Sequence, residues 1–113
     1  MTMTMTKGRN GWKAVTTIEL NDDRVLTFDT SKGFNPGVYT TASVAKRDGA
    51  FMVTEMFGDF HHTVFREGSV KCTEKNVRMQ HEMALEKRDD VIALMTAFYA
   101  KKNITVTPLT MAE

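Results

Sequence analysis

The stretch VYTTASVAKRDGAFMVTEMF, residues 38–57, contains the clearest hairpin signal in this chain. Its central dipeptide, Asp48-Gly49, favours the tight type I′ turn that joins the strands of a hairpin. The residues before this turn are rich in Val and Thr, and those after it are rich in Phe, Val and Met, which is typical of strands. The stretch therefore predicts two antiparallel strands, over residues 38–46 and 50–57.

Upstream of this hairpin, the strand pattern occurs twice more. Residues 12–20 alternate with a period of two, as a half-buried strand requires. Residues 21–23, Asn-Asp-Asp, have the chemistry of a tight turn, because Asn and Asp tolerate unusual backbone angles and bond to their own main chain. A second strand is predicted over residues 25–29, before a loop that contains Pro36.

Downstream, the pattern changes from strand to helix. Gly58-Asp59 predicts a turn into a strand over residues 60–66, and residues 69–72 add a short sixth strand. Thr73 is a candidate N-cap for the helical pattern that follows it. Five consecutive charged residues, 86–90, interrupt this pattern without a Gly or Pro. The sequence therefore does not decide between one helix and two.

Consecutive hairpins followed by helix predict an α+β protein. The expected architecture is an antiparallel β-meander of five to six strands, followed by one or two C-terminal helices packed on one face of the sheet. The expected organisation is a flexible N-terminal segment (1–11), a single α+β domain (12–103) and a C-terminal tail (104–113). A chain of 113 residues has the usual size of one domain.

Charge and composition exclude some classes of protein. The 15 Lys and Arg nearly balance the 14 Asp and Glu, whereas nucleic-acid modules usually carry a basic excess. Because no apolar run reaches the ~20 residues that span a bilayer, no membrane association is expected. The lone Cys72 cannot form an internal disulfide, which fits a reducing compartment, and the first residues lack an apolar secretory signal. These features predict a cytoplasmic protein.

The middle strands carry apolar residues on both faces. Phe51, Val53 and Phe57 alternate with methionines, and Phe65 in the next strand has the parity of His61. One helical layer buries only one face of a sheet, and large exposed apolar patches usually mark interfaces. The sequence therefore predicts a homodimer, with Phe51, Val53, Phe57 and Phe65 as candidate interface or partner-binding residues. The alternative is a sheet that curls and closes on itself.

Three residues offer the elements of a metal or nucleophile site. His62 lies on one face of a predicted strand and His81 on the apolar side of the helix, so both imidazoles and the Cys72 thiol could converge on a zinc ion. No CxxC, HxH or HExxH spacing supports such a site, and buried Cys usually behaves as a small hydrophobe. We expect no metal, no cofactor and no catalytic residue, and the sequence leans towards a non-enzymatic protein.

The favoured hypothesis is a self-associating interaction or binding module, with a further protein partner left open. One alternative is a single-stranded nucleic-acid-binding protein, in which Phe51, Phe57 and Phe65 on the sheet stack on bases. A small-ligand pocket between helix and sheet is a further alternative, because composition does not distinguish a pocket from a core.

Overall fold

The computed structural model describes residues 3–9, 11–33, 37–48, 51–53, 59–68 and 70–109. They form an α+β protein, a meander sheet with two C-terminal helices packed on it, which confirms the predicted fold class. The elements in chain order are β1 (Met3–Gly8), β2 (Gly11–Glu19), β3 (Arg24–Lys32), β4 (Val38–Asp48), β5 (Phe51–Val53), β6 (His61–Glu67), α1 (Glu74–Leu85) and α2 (Arg88–Ala100).

All pairings in the sheet are antiparallel. Strands β1 to β4 follow one another as neighbours, and the 11-residue β4 pairs with β3 along one side and with both β5 and β6 along the other. Over the described strands, β1 pairs only with β2, so the sheet does not close into a barrel there. The hairpin between β4 and β5 is confirmed by the pairing of Asp48 with Phe51, while Gly49 itself lies outside the described residues.

Strand β1 lies inside the segment, residues 1–11, that the sequence treated as flexible. It pairs with β2 from Met3 opposite Thr16 to Gly8 opposite Gly11. The alternation of Met and Thr in β1 is itself a strand pattern, and Met3 and Met5 pack against an apolar cluster on the sheet. Pairing with β2 and burial of these methionines therefore order a segment whose position and local charge suggested a tail.

The predicted short strand over residues 69–72 is wrong for its described part. Val70, Lys71 and Cys72 make no strand pairing and lead directly into α1. The Cys72 thiol donates a hydrogen bond to the Trp12 carbonyl at 3.1 Å, and a Cβ at Gly11, where φ is +116°, would lie 3.0 Å from the Cys72 carbonyl oxygen. This segment crosses the start of β2 instead of extending the sheet.

A β-bulge in β6 reverses the face expected for Phe65. Thr41 pairs with Thr63, but the adjacent Thr40 pairs with Phe65, so Val64 is the extra residue. Phe65 therefore shares the helix-covered face with buried Thr40, opposite to the side of Thr63. The prediction that Phe65 lies on the same face as His61 was wrong. It assumed regular alternation along the strand, and the extra residue at the bulge shifts the alternation by one position.

The helical region consists of two helices. Thr73 caps α1 as predicted, because its hydroxyl accepts the Asn76 amide at 3.2 Å. The charged run separates the helices, although α2 starts after Lys87, and Asp89 and Asp90 lie in its first turn rather than at the cap. Asn103 ends the helical region with a left-handed φ of 61°.

Among the described residues, the core consists of two apolar clusters under the helices. The larger one joins α2 to the sheet, and its fully packed members are Leu20, Leu26, Phe28, Ala42, Val44, Phe60, Val91, Met95, Tyr99 and Val106. The smaller one consists of Ala14, Val38 and Val77, with residues of β1 and the β6–α1 connection at its edge. Because these clusters lie at opposite ends of β2, the middle of the helix-covered face is left for polar groups.

The C-terminal segment is docked beside the turn between β2 and β3. Leu20 forms a β-bridge with Pro108, and the Leu109 amide donates to the Glu19 carbonyl at 3.0 Å. The Asn21 side chain donates to the Thr105 carbonyl and accepts the Thr107 amide, both at 2.8 Å. These bonds hold residues 105–109 against the sheet edge.

Helices α1 and α2 have 12 and 13 residues. Within the described residues, no helix has the length and apolar character needed to cross a membrane.

Candidate functional site

Of the four sequence-predicted interface residues, only Phe65 has a side chain that the structure describes. Phe51 and Val53 belong to β5 and pair with Asp48 and Lys46 of β4. Phe57 lies outside the described residues. Phe65 is half-buried on the helix-covered face, where the Lys87 ammonium lies 4.8 Å from the centre of its ring.

The uncovered face of the sheet is mostly polar over β2, β3 and β4. Strand alternation and register place these residues there: Lys13, Val15, Thr17, Glu19, Val25, Thr27, Asp29, Ser31, Tyr39, Thr41, Ser43 and Ala45. An ion pair of 3.1 Å joins Lys13 and Asp29 across two of these strands. The two-sided apolar pattern was predicted for residues 50–66, so these three strands do not test it, and on this face Val25 is itself buried.

A histidine is buried between α1 and the sheet. His81 has no exposed surface, and its two ring nitrogens lie 2.7 Å from two threonine hydroxyls, Nε2 from Thr16 on β2 and Nδ1 from Thr30 on β3. The Thr30 hydroxyl is also 2.7 Å from that of Thr40 on β4. One imidazole thereby links α1 to three adjacent strands through hydroxyl groups.

A neutral His81 satisfies this network. One ring nitrogen donates its proton to a threonine oxygen, and the other accepts a hydroxyl proton. Burial lowers the pKa of His81 from its usual 6.5, although the charges of Asp29 and Glu82 act in the opposite direction. Because His81 and the three threonines are buried, the network fixes the position of α1 and offers no surface for a substrate.

The three residues considered as metal ligands have separate contacts. Both His81 nitrogens are hydrogen-bonded, the Cys72 thiol bonds to a carbonyl, and His62 stacks on Phe60 with ring centres 6.2 Å apart. In the part of the chain that the structure describes, no three His, Cys, Asp or Glu side chains converge as a metal site.

The outward face of α2 is apolar. The inward side of this helix packs Val91, Met95 and Tyr99 into the larger core cluster. The side exposed to solvent carries Ala93, Leu94, Ala97 and Ala100, and Leu94 is 49% exposed. A helix that is apolar all round is usually buried on all sides. This surface, called the α2 outer face below, is a candidate for a partner contact, alongside the exposed Met79 and Met83, which lie one turn apart on α1.

The ends of the α2 outer face carry opposite charges. Asp90 lies in the first turn of α2 and Lys101 is its C-cap, and both side chains are exposed. Among the described residues, no ion pair is formed by either of them. Carboxylate at the start of a helix and ammonium at its end also suit the helix dipole. The face thus has an apolar centre with one acidic and one basic end.

Sequence reasoning assigned α2 to a helix but missed this face. A weak signal was present, because no charged residue occurs from Val91 to Ala100. It was missed because the helical periodicity of the large apolar residues described only the inward side. The exposed alanines have no periodic signal of their own.

The described architecture defines a class: a small α+β protein with an open antiparallel meander and two helices that cover one face. Comparison of the sequence with models of protein families gives no match, and neither the curated proteins nor the solved structures provide one.

Proposed function

We propose that this chain is a cytoplasmic, non-enzymatic interaction module that self-associates through the α2 outer face. The observation that carries the proposal is the exposed apolar side of α2, centred on Leu94. In an isolated monomer this side would keep Leu94 and three alanines in water. Leu94 is 49% exposed, so burying the rest of its side chain contributes about 1 kcal/mol, and a symmetric dimer gains this contribution twice.

A single helix face is a small interface. Stable protein–protein contacts bury roughly 800 Å² on each partner, which is more than about three turns of helix normally provide. We therefore expect a dissociation constant in the micromolar range or weaker. Self-association of this strength is adjustable by concentration, which suits an interaction module rather than a permanent assembly.

Two further features support the remaining parts of the proposal. The buried polar network around His81 is enclosed by α1 and the sheet, so its histidine serves packing rather than chemistry on a substrate. The single cysteine, Cys72, bonds as a thiol to the Trp12 carbonyl, as suits a reducing compartment.

The nucleic-acid alternative has less support. It requires aromatic rings that are open to base stacking. Phe65 is half-buried beneath Lys87, and the side chains of Phe51 and Phe57 lie outside the described residues. A titration with fluorescent single-stranded DNA and RNA at low salt tests this alternative directly, and saturable binding would replace the present proposal.

Sedimentation velocity of the purified protein, from about 1 to about 500 µM, tests self-association. We expect wild type to shift from monomer to dimer with concentration and Leu94→Glu to stay monomeric. Met79→Glu is the matched control, because Met79 on α1 is 50% exposed, and it should associate as wild type does. A wild-type protein that is monomeric throughout, or equal loss in both variants, would contradict the proposal.

A further inference from the structure

The spacing of residues along the α2 outer face suits one arrangement of a partner helix. Asp90, Leu94, Ala97 and Lys101 are separated by four, three and four positions. At about 100° per residue these four positions lie within roughly 60° of one another around the helix axis. Spacings of three and four are those of a seam that packs against another helix.

We propose that a second copy of this chain packs its α2 antiparallel against this seam, about a two-fold axis near the middle of the helix. The inference rests on the proposed function, since it assumes that the protein self-associates through α2. It adds the direction of the partner helix and the residues that face each other.

The seam is self-complementary only in the antiparallel direction. A two-fold axis midway between Leu94 and Ala97 places Leu94 opposite the partner's Ala97. The same axis places Asp90 opposite the partner's Lys101, because both pairs are centred on the same point of the chain. One symmetry operation therefore matches a large side chain to a small one and an acid to a base.

A parallel pairing lacks this match. It would place Asp90 beside the partner's Asp90 and Lys101 beside the partner's Lys101, and like charges at close range are destabilising. It would also align the two helix dipoles, whereas antiparallel helices bring opposite helix ends together.

The size of the side chains also suits close packing. Helix axes approach to about 8–10 Å, depending on the residues at the contact. Ala93, Ala97 and Ala100 add little bulk to the surface around Leu94. Two α2 helices can therefore approach closely, with the two Leu94 side chains filling the space beside the alanines.

Charge-reversal variants distinguish the antiparallel arrangement of two α2 helices from other modes of self-association. We expect Asp90→Lys and Lys101→Glu each to weaken homodimers about tenfold or more, since each variant places like charges at both ends of the seam. An equimolar mixture of the two variants should recover dimerisation, because in the mixed dimer every end again pairs opposite charges. Lys75→Glu, an exposed charge reversal on α1, is the matched control and should not change association.

The readout is sedimentation velocity of each variant and of the mixture, with circular dichroism to show that the variants are folded. A salt titration of wild type is a second measurement that needs no variant, and the dimer should weaken between about 50 and 500 mM NaCl. Two results would overturn the antiparallel arrangement and leave the proposed function intact. In one, wild type dimerises and the charge-reversal variants dimerise equally well. In the other, the mixture of the two variants shows no recovery. A wild-type monomer at every concentration would overturn both.

Discussion

At the residue scale, the buried His81 is the most consequential single side chain. It replaces apolar packing in the middle of the helix-covered face with hydrogen bonds to Thr16 and Thr30. Buried polar groups are costly unless they are paired, and removing one partner leaves the others unsatisfied. This makes the position of α1 over the sheet specific, because a shift of the helix would break both bonds together.

Stability should therefore fall in mild acid. Burial lowers the pKa of His81, so below about pH 6.5 the unfolded chain binds a proton that the folded chain resists. The free energy of unfolding should decrease as the pH falls from about 7.5 to about 5.5, as measured by urea denaturation. We expect His81→Gln to cost roughly 2 kcal/mol at neutral pH and to reduce this pH dependence.

The control for this prediction is His61→Gln, because His61 is exposed on β6. This variant should keep the pH dependence of wild type. An unchanged pH dependence in His81→Gln would show that another group is responsible.

At the element scale, the sequence predicted the start of α1 at Thr73 but left open whether the helical region breaks between α1 and α2. The Thr73 cap and the Asn103 stop both depend on local chemistry, a hydroxyl that accepts an amide and a residue that tolerates left-handed φ. The strand boundaries were less readable. The bulge at Val64 and the pairing of β1 depend on a neighbouring strand, and no local residue specifies either.

Removing the α1 cap should destabilise the protein modestly. Thr73→Ala leaves the Asn76 amide without its acceptor, and the expected loss in unfolding free energy is about 1 kcal/mol. Thermal or urea unfolding measures this loss. Thr105→Ala, an exposed threonine outside the helices, is the control and should change stability by less than about 0.5 kcal/mol. Equal effects of the two substitutions would contradict the role of the cap.

At the scale of the whole molecule, the C-terminal segment completes the larger core cluster. Val106 is fully buried among residues of β2, β3 and α2, and the Asn21 side chain holds the chain on either side of it. The segment that the sequence described as a tail thus contributes a core side chain.

Shortening the Val106 side chain should destabilise the whole fold. Val106→Ala should lower the free energy of unfolding by roughly 2 kcal/mol, because it removes buried methyl groups and leaves a cavity. Leu109→Ala is the control in the same segment, since Leu109 is 64% exposed, and it should be nearly neutral. Urea denaturation of both variants measures the difference, and similar midpoints would argue against docking of this segment.

The candidate interaction surface also belongs to this scale. The sequence predicted self-association from apolar residues on both faces of the sheet. The exposed large apolar side chains among the described residues lie instead on α1 (Met79 and Met83), on α2 (Leu94) and in the C-terminal segment (Leu109). The sequence periodicity identified the apolar residues of each helix and strand. Which of these residues stay exposed depends on how much of the helix or strand is covered by neighbouring elements.

The fold class, the β2–β3 and β4–β5 hairpins and the Thr73 cap could be predicted from the sequence, because they depend on residues adjacent in the chain. The burial of His81, the face of Phe65, the pairing of β6 with β4, the docking of Val106 and the exposure of Leu94 could be seen only in the folded chain. Each of these depends on contacts between distant segments, which leave little local signal in the sequence.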